Sequence, residues 1–257
     1  MAPWALFLDI DGTLIASDYV IPERSLNALK RAREAGHKVI LNTGRSLGNI
    51  PHDIFDQIEV DAVISGNGSA VTVGGKLIFS SFMDRGVFLR IAKAVYDDES
   101  CWAVFEGLSG SYIIPGRRKL LSRSEIDSPT YESLVENTQN DNIQVVAVSK
   151  SFSPDLIKEL RRDMQVYEFP TYYDIVTAGN NKALRMQSTL DYFGISPECT
   201  MAFGDSENDI DMLKAAAIGV AVSNSQQKVL DIADYVALSN AEGGVGEAIE
   251  KFLPKGE

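Results

Sequence analysis

The sequence predicts an α/β protein, a doubly wound parallel sheet interrupted by an inserted α+β module. Strands and helices alternate at both ends of the chain, while the middle breaks into strands joined by hairpin-length links. Acidic and small polar residues also cluster just after the apolar runs, at the edge where open α/β sheets keep their ligands.

Ala5-Leu6-Phe7-Leu8 opens a strand over 4–10, and its unbroken apolar character suits burial on both faces. A helix starts near Pro22, a favoured first-turn position, and carries Leu26, Leu29 and Ala32 at helical spacing to Gly36. Strands at 38–42 and 61–65 follow, with a helix beginning near Ser46 and a polar helix start at His52 between them. After Gly66-Asn67-Gly68 the spacing predicts a hairpin, 69–73 and 76–80, turned at Gly74-Gly75.

The pattern then changes to a helix at 84–97, strands at 101–106 and 110–115, a helix near 130–138, a strand at 142–149, a helix at 154–163, and strands near 165–169 and 172–177. That order, αββαβαββ, favours antiparallel pairing. From Asn181 the alternation resumes: helix 181–193, strand 199–203, helix 207–215, strand 218–222, and helices 225–232 and 244–253. The chain is therefore expected to build one domain from 1–83 and 178–257 and a second from 84–177. Its two crossings, Ser81–Asp84 and Thr177–Asn180, should lie close together.

With 257 residues, 45% of them hydrophobic, the chain can bury a sizeable core. Its net charge of −12 argues against nucleic acid, whose partners cluster Lys and Arg. No apolar run approaches the roughly 20 residues of a membrane span, and Asp9 interrupts the first apolar stretch, so no membrane partner and a cytoplasmic location are expected. Cys101 and Cys199, each at the start of a predicted strand, read as reduced core residues. His37 and His52 have no second His, Cys or nucleophile beside them and read as structural or surface residues.

The chemistry begins at Asp9-Ile10-Asp11-Gly12-Thr13-Leu14. Side chains alternate along a strand, so Asp9 and Asp11 start out facing the same way. Their charges repel, and a divalent metal would resolve the conflict, although the same tripeptide suits a solvated turn. Thr43-Gly44-Arg45 ends the second strand with a hydroxyl and amides able to hold phosphate oxygens, or simply caps a helix. Gly204-Asp205-Ser206-Glu207-Asn208-Asp209 ends a later strand: Asp205 can complete a cation site with Asp9, and Asp209 faces back one turn on. An acidic helix start would also satisfy the helix dipole. Lys182 can offset several carboxylates, or stand solvated at its helix start.

Taken in order, Asp9-Ile10-Asp11-Gly12-Thr13-Leu14, Asn42-Thr43-Gly44-Arg45, Gly66-Asn67-Gly68, Lys182, Gly204-Asp205-x-x-Asn208-Asp209 and Ala241-Glu242-Gly243-Gly244-Val245 resemble a haloacid dehalogenase superfamily phosphatase. Within that superfamily the chain looks like the Cof-type sugar phosphatases, with a Rossmann-like core and a large α/β cap. The resemblance implies Asp9 as nucleophile, Asp11 as acid/base, Thr43 as phosphate-binding hydroxyl and Lys182 as the charge-neutralising lysine. It implies a Mg²⁺ site from Asp9, Asp11, Asp205 and Asp209, with Gly44, Arg45 and Asn208 also meeting substrate. Lys182-Ala183 replaces the usual Lys-Gly, and Asn42 and Ser225 stand where alanine is common; none of these removes a reacting group.

The implied substrate is a small phosphate ester, most plausibly a hexose or other sugar phosphate, and the implied assembly a monomer or homodimer. The cap over 84–177 is expected to close over the site and set substrate choice. Arg117-Arg118-Lys119 with Arg123 reads as a solvated loop or as a grip on a second anionic group, with Arg117 and Arg118 touching substrate. Tyr172, Tyr173 and Asp174 read as facing a sugar or as strand packing. A second phosphate in the cap would make the protein a sugar phosphomutase; failure to turn over any ester would make it a phosphometabolite sensor.

Overall fold

A computed structural model describes residues 2–16, 19–115 and 125–253. In chain order the strands and helices of its first part are β1 (Ala5–Leu8), α1 (Glu23–Glu34), β2 (Lys38–Asn42), α2 (His52–Gln57), β3 (Ala62–Ser65), β4 (Ala70–Val73) and β5 (Lys76–Ser80). The middle holds α3 (Arg85–Tyr96), β6 (Ala103–Gly107), β7 (Ser111–Ile113), β8 (Glu125–Asp127), α4 (Tyr131–Asn137), β9 (Ile143–Ser149), α5 (Pro154–Leu160), β10 (Met164–Glu168) and β11 (Tyr172–Thr177). The last part holds α6 (Lys182–Phe193), β12 (Thr200–Gly204), α7 (Ile210–Ala215), β13 (Ile218–Val222), α8 (Gln227–Leu230), β14 (Tyr235–Ala237) and α9 (Gly244–Phe252).

The chain divides into two compact units. The first comprises residues 1–44, 51–78 and 181–257, and the second Arg45–Ile50 and Phe79–Asn180. The segment Arg45–Ile50 thus groups with the second unit, whereas the sequence reading leaves it with the first.

The first unit is built on a sheet ordered β14-β13-β12-β1-β2-β3-β4-β5, parallel from β14 to β3 and antiparallel between β3 and β4. All four residues of β1 are fully buried between β12 and β2, which explains the unbroken apolar run. Helix α1 buries Ser25, Ala28, Leu29 and Ala32, with Glu23 in its first turn and Arg31 and Arg33 in its last, as the helix dipole favours. His37 is buried and its Nδ1 accepts the Trp4 N–H at 3.0 Å; burial holds its pKa below the usual value.

Three expectations change here. The first strand ends at Leu8, so Asp9 and Asp11 lie beyond the alternation that was to align them. No helix begins near Ser46; a single 3₁₀ turn, Leu47–Asn49, stands there and α2 starts at His52. Cys199 is only half-buried, in a turn before β12, while Cys101 is buried. The short edge strand β14 has no counterpart in the sequence reading, because three residues are too few to show a period.

The second unit holds a sheet ordered β10-β11-β9-β6-β7-β8, antiparallel except for the parallel pair β7 and β8. Strand β8 is an addition to the expected αββαβαββ order, and its Glu-Ile-Asp sequence, with one apolar residue in three, is too short to show a period. One face packs Phe105, Val146, Val148 and Ile175 with Phe88, Ile91 and Val95 of α3 and Leu134 of α4. Tyr173 packs toward this core, whereas Tyr172 stacks on Phe169 with centroids 4.6 Å apart and packs with Val104, Ile113 and Ala147. Alternation therefore sends the two tyrosines to opposite faces, so they do not present one joint surface to a sugar. Among the described residues, no helix is long and apolar enough to cross a membrane.

Candidate active site

Asp9 leaves the end of β1 buried at 5% exposure, with its N–H bonded to the Phe203 carbonyl of β12 at 3.0 Å. Lys182 is the first residue of α6, whose start is capped by the Asn181 side chain accepting the Leu184 N–H at 2.7 Å. The Lys182 ammonium is 1% exposed and donates to Asp9 Oδ1 and Asp209 Oδ1, each at 2.5 Å. It is a fully committed buried group and not the solvated helix-start lysine its position also allowed.

Asp209 is wholly buried, and its second oxygen accepts the Asp205 and Ser206 N–H groups, each at 3.0 Å. Asp205 Oδ1 accepts the Thr13 hydroxyl at 2.8 Å. Gly12, at φ +83°, lets the loop pass so close that a Cβ there would lie 2.6 Å from Asp205 Oδ2. Asn224 donates to the Gly12 carbonyl at 2.8 Å and steadies the same turn.

One carboxylate oxygen from each of Asp9, Asp205 and Asp209 falls within 4.8 Å of the others. Three carboxylates around one ammonium leave a surplus of two negative charges when all are ionised. Burial drives the Asp9 carboxyl well above the usual aspartate range; Lys182 pulls against this, and Asp209 and Asp205 add to the rise. Burial and the Asp209 charge push Asp205 up to about 6, against the Thr13 hydroxyl and Lys182. For Lys182 burial works the other way, but Asp209 and Asp9 outweigh it and hold the ammonium above its ordinary value. Such a site favours a divalent cation, and its all-oxygen donors suit the hard ion Mg²⁺.

Asp11 stands outside this cluster. Its side chain is exposed, and its charge contributes to the raised Asp205 pKa. Thr43 is buried just past β2, its N–H bonded to the Ile64 carbonyl at 2.9 Å and its carbonyl accepting the Asn67 N–H at 3.1 Å. Gly44 packs on two amides: a Cβ there would lie 3.3 Å from Asn208 Nδ2 and from Asn67 Oδ1. Asn208 Nδ2 in turn donates to Asn67 Oδ1 at 3.0 Å. The first unit thus brings Asp9, Lys182, Asp205 and Asp209 together, and joins Gly44 to Asn208. Arg45 belongs to the second unit, where it donates to the Asn49 carbonyl at 3.1 Å. Arg117, Arg118, Lys119 and Arg123 lie outside the described residues.

Two asparagines that the sequence motifs contain, but to which the sequence reading gives no role, hold parts of the site in place. Asn42 donates from Nδ2 to the Lys182 carbonyl at 3.2 Å and so ties α6 to β2; its signal was one amide ending an apolar strand. Asn67 is 1% exposed with φ +52°, a conformation asparagine tolerates better than most residues; the sequence reading has it within Gly66-Asn67-Gly68, one of the motifs of the resemblance, with no role of its own.

Residues 6–249 match the haloacid dehalogenase-like hydrolases. The chain belongs to that family. It is 26% identical over 266 residues to the 5-amino-6-(5-phospho-D-ribitylamino)uracil phosphatase YitU of Bacillus subtilis, covering 98% of each chain. A match at 28% identity to the chloroplastic endoribonuclease YBEY of Arabidopsis thaliana covers 96% of this chain but 46% of that protein. The solved structure of a sugar phosphatase of haloacid dehalogenase subclass IIB superposes with a TM-score of 0.80 at 25% identity, over 97% of this chain and 98% of that one. Family, fold and full-length phosphatase relatives make this family member a phosphoric monoester hydrolase.

Proposed function

We propose that this hydrolase is a Mg²⁺-dependent phosphatase of small phosphorylated metabolites, sugar phosphates foremost, acting in the cytoplasm through an aspartyl-phosphate on Asp9. The observation that carries this reading is the buried Lys182 ammonium shared by Asp9 and Asp209, with Asp205 beside them. The metal would be held by Asp9, Asp205 and Asp209 together with the Asp11 main chain, and when bound would neutralise charge on the phosphoryl oxygens.

Asp9 is the nucleophile because it sits at the strand end with one oxygen fixed by Lys182. Its carboxylate attacks phosphorus as the ester P–O bond breaks, and Asp11, exposed beside the turn, gives its proton to the departing alkoxide. Asp11 then takes a proton from water, whose oxygen attacks phosphorus and releases Asp9 and inorganic phosphate. Thr43 and the Gly44 N–H hold phosphoryl oxygens, and Lys182 offsets the charge they gather. The sugar-phosphate assignment is supported by the subclass IIB likeness and by the phosphorylated ribityl chain that names the Bacillus subtilis relative.

Two measurements test the reading. The unaltered protein with Mg²⁺ should hydrolyse members of a phosphorylated-metabolite panel, sugar phosphates with the highest kcat/KM, and lose turnover in EDTA. Asp9→Asn preserves shape but removes the attacking charge, so kcat should fall by at least about a thousandfold. Residual turnover within tenfold of the unaltered enzyme would overturn the nucleophile assignment.

A further inference from the structure

The turn that carries Asp11 is pinned at three points, each by a residue of the first unit. The Ile10 carbonyl accepts the Leu14 N–H at 3.0 Å and the Ile15 N–H at 3.1 Å, which closes residues 10–15 into a loop. Ile10, Leu14 and Ile15 are buried while Asp11 stands exposed. The buried Thr13 hydroxyl donates to Asp205 Oδ1 at 2.8 Å. The other two ties come from asparagines. Asn224, just past β13, donates from Nδ2 to the Gly12 carbonyl at 2.8 Å, and Asn240, just past β14, donates from Nδ2 to the Ile15 carbonyl at 2.8 Å.

The two asparagines are joined to each other. Asn224 Oδ1 accepts the Asn240 N–H at 2.9 Å, and Asn240 Oδ1 accepts the Ala241 N–H at 2.8 Å. An amide held at its oxygen presents its NH₂ in a fixed direction, so both donors are aimed at the loop before they bond to it. The arrangement follows from the sheet: β13 and β14 are parallel neighbours, and their loops emerge side by side at the edge where β1 also ends.

Asp11 needs such bracing. It lies beyond the last residue of β1, so no ladder fixes it, and Gly12 beside it, at φ +83°, is the residue type with the most backbone freedom. A general acid works only within hydrogen-bond reach of the oxygen it protonates, and small displacements are costly. We infer that Asn224 and Asn240 are positioning residues for proton transfer: by holding the Gly12 and Ile15 carbonyls they fix the turn from which Asp11 gives its proton to the alkoxide as the ester P–O bond breaks. The inference rests on the proposed role of Asp11 as acid. It gives the loops past β13 and β14 a part in leaving-group chemistry, exerted through the main chain.

The test measures kcat/KM of the full chain at saturating Mg²⁺ for two esters. One is p-nitrophenyl phosphate, whose phenolate departs as a stable anion with little need of an acid; the other is the alkyl phosphate of the metabolite panel with the highest kcat/KM, whose alkoxide needs the proton. Asp11→Asn should lower the alkyl value at least about a hundredfold more than the aryl value. Asn224→Ala and Asn240→Ala should each lower the alkyl value about fivefold more than the aryl value, the worth of one hydrogen bond. In an Asp11→Asn background neither should move the ratio further, since no proton remains to be placed. A merely structural role would lower Tm and both values together, leaving the ratio where it was.

An unshifted ratio in either alanine variant that folds, or a shift that persists in the Asp11→Asn background, overturns the inference while leaving the acid role of Asp11 intact. A ratio that Asp11→Asn itself does not move overturns that role and the inference with it, and leaves the nucleophile to be judged by Asp9→Asn. Asn224 is exposed, so its alanine variant should fold; should Asn240→Ala not, Asn224→Ala alone decides by the same ratio.

Discussion

In the first unit Asp9, Lys182 and Asp209 are buried against one another where parallel strands end, whereas in the second Glu106 and Gln144 are buried against main-chain amides of residues 45–50. The difference follows from sheet type. Parallel strands need crossover connections, so several loops emerge at one carboxyl edge and bring charges from distant parts of the chain together. Antiparallel strands return through short turns, and here the buried side chains of Glu106 and Gln144 meet main-chain amides of one distant segment. The first arrangement accumulates net charge, a means of doing chemistry; the second neutralises single polar groups, a means of holding shape.

That contrast can be broken experimentally, most severely at Lys182. Lys182→Met leaves Asp9 and Asp209 facing each other without their ammonium, and urea titration in EDTA should show a loss of about 3–5 kcal/mol. Mg²⁺ should raise Tm more in this variant than in the unaltered protein, since more uncompensated charge remains to be neutralised. A loss no greater than that of Glu106→Gln would mean the first unit's charges are not the more interdependent set.

A smaller effect is expected at Gly12. Gly12→Ala forces a Cβ against Asp205 at a backbone conformation alanine rarely adopts, and should cost about 1–3 kcal/mol in the same titration. It should also weaken Mg²⁺ binding measured by calorimetry, because Asp205 must move.

The smallest effect belongs to a carboxylate of the first unit outside the cluster. Asp61 accepts the Val39 N–H at 3.0 Å and pairs with Lys38 at 3.0 Å and Arg33 at 3.3 Å. Burial acts to raise its pKa, but these bonds outweigh it and hold the carboxyl below the ordinary value. The unfolded chain therefore binds the proton more readily, so the stabilisation is present above the usual pKa of 3.8 and is lost as pH falls through the folded value. Asp61→Asn should lower stability by about 1 kcal/mol at pH 7, since solvent screens the half-exposed cations, and the difference should shrink in acid. A constant difference from pH 7 down to pH 2 would assign the effect to packing instead.

Much of this was legible in the chain itself. The apolar run into Asp9, the glycine after Thr43 and the acidic start after Gly204 each placed a polar residue at a strand end, because turn residues and periodicity report on immediate chain neighbours. The alternation also gave the parallel sheet and the inserted antiparallel module. What it left open were pairings with no local signature. Strand β8 forms only because Ser111–Ile113 offers an edge, and Tyr172 and Tyr173 part company only once their strand has a core face.

By itself, then, the sequence determined the kinds of groups at each strand end and the order in which they arrive, since both are properties of adjacent residues. Only the tertiary structure decided which of them meet. Lys182 reaches Asp9 across 173 positions, Asn42 ties down the Lys182 carbonyl across 140, and Glu106 holds Ser46 across 60. Contacts over such separations depend on how sheets bring distant segments side by side, and hydrophobic periodicity within a dozen residues contains no record of them.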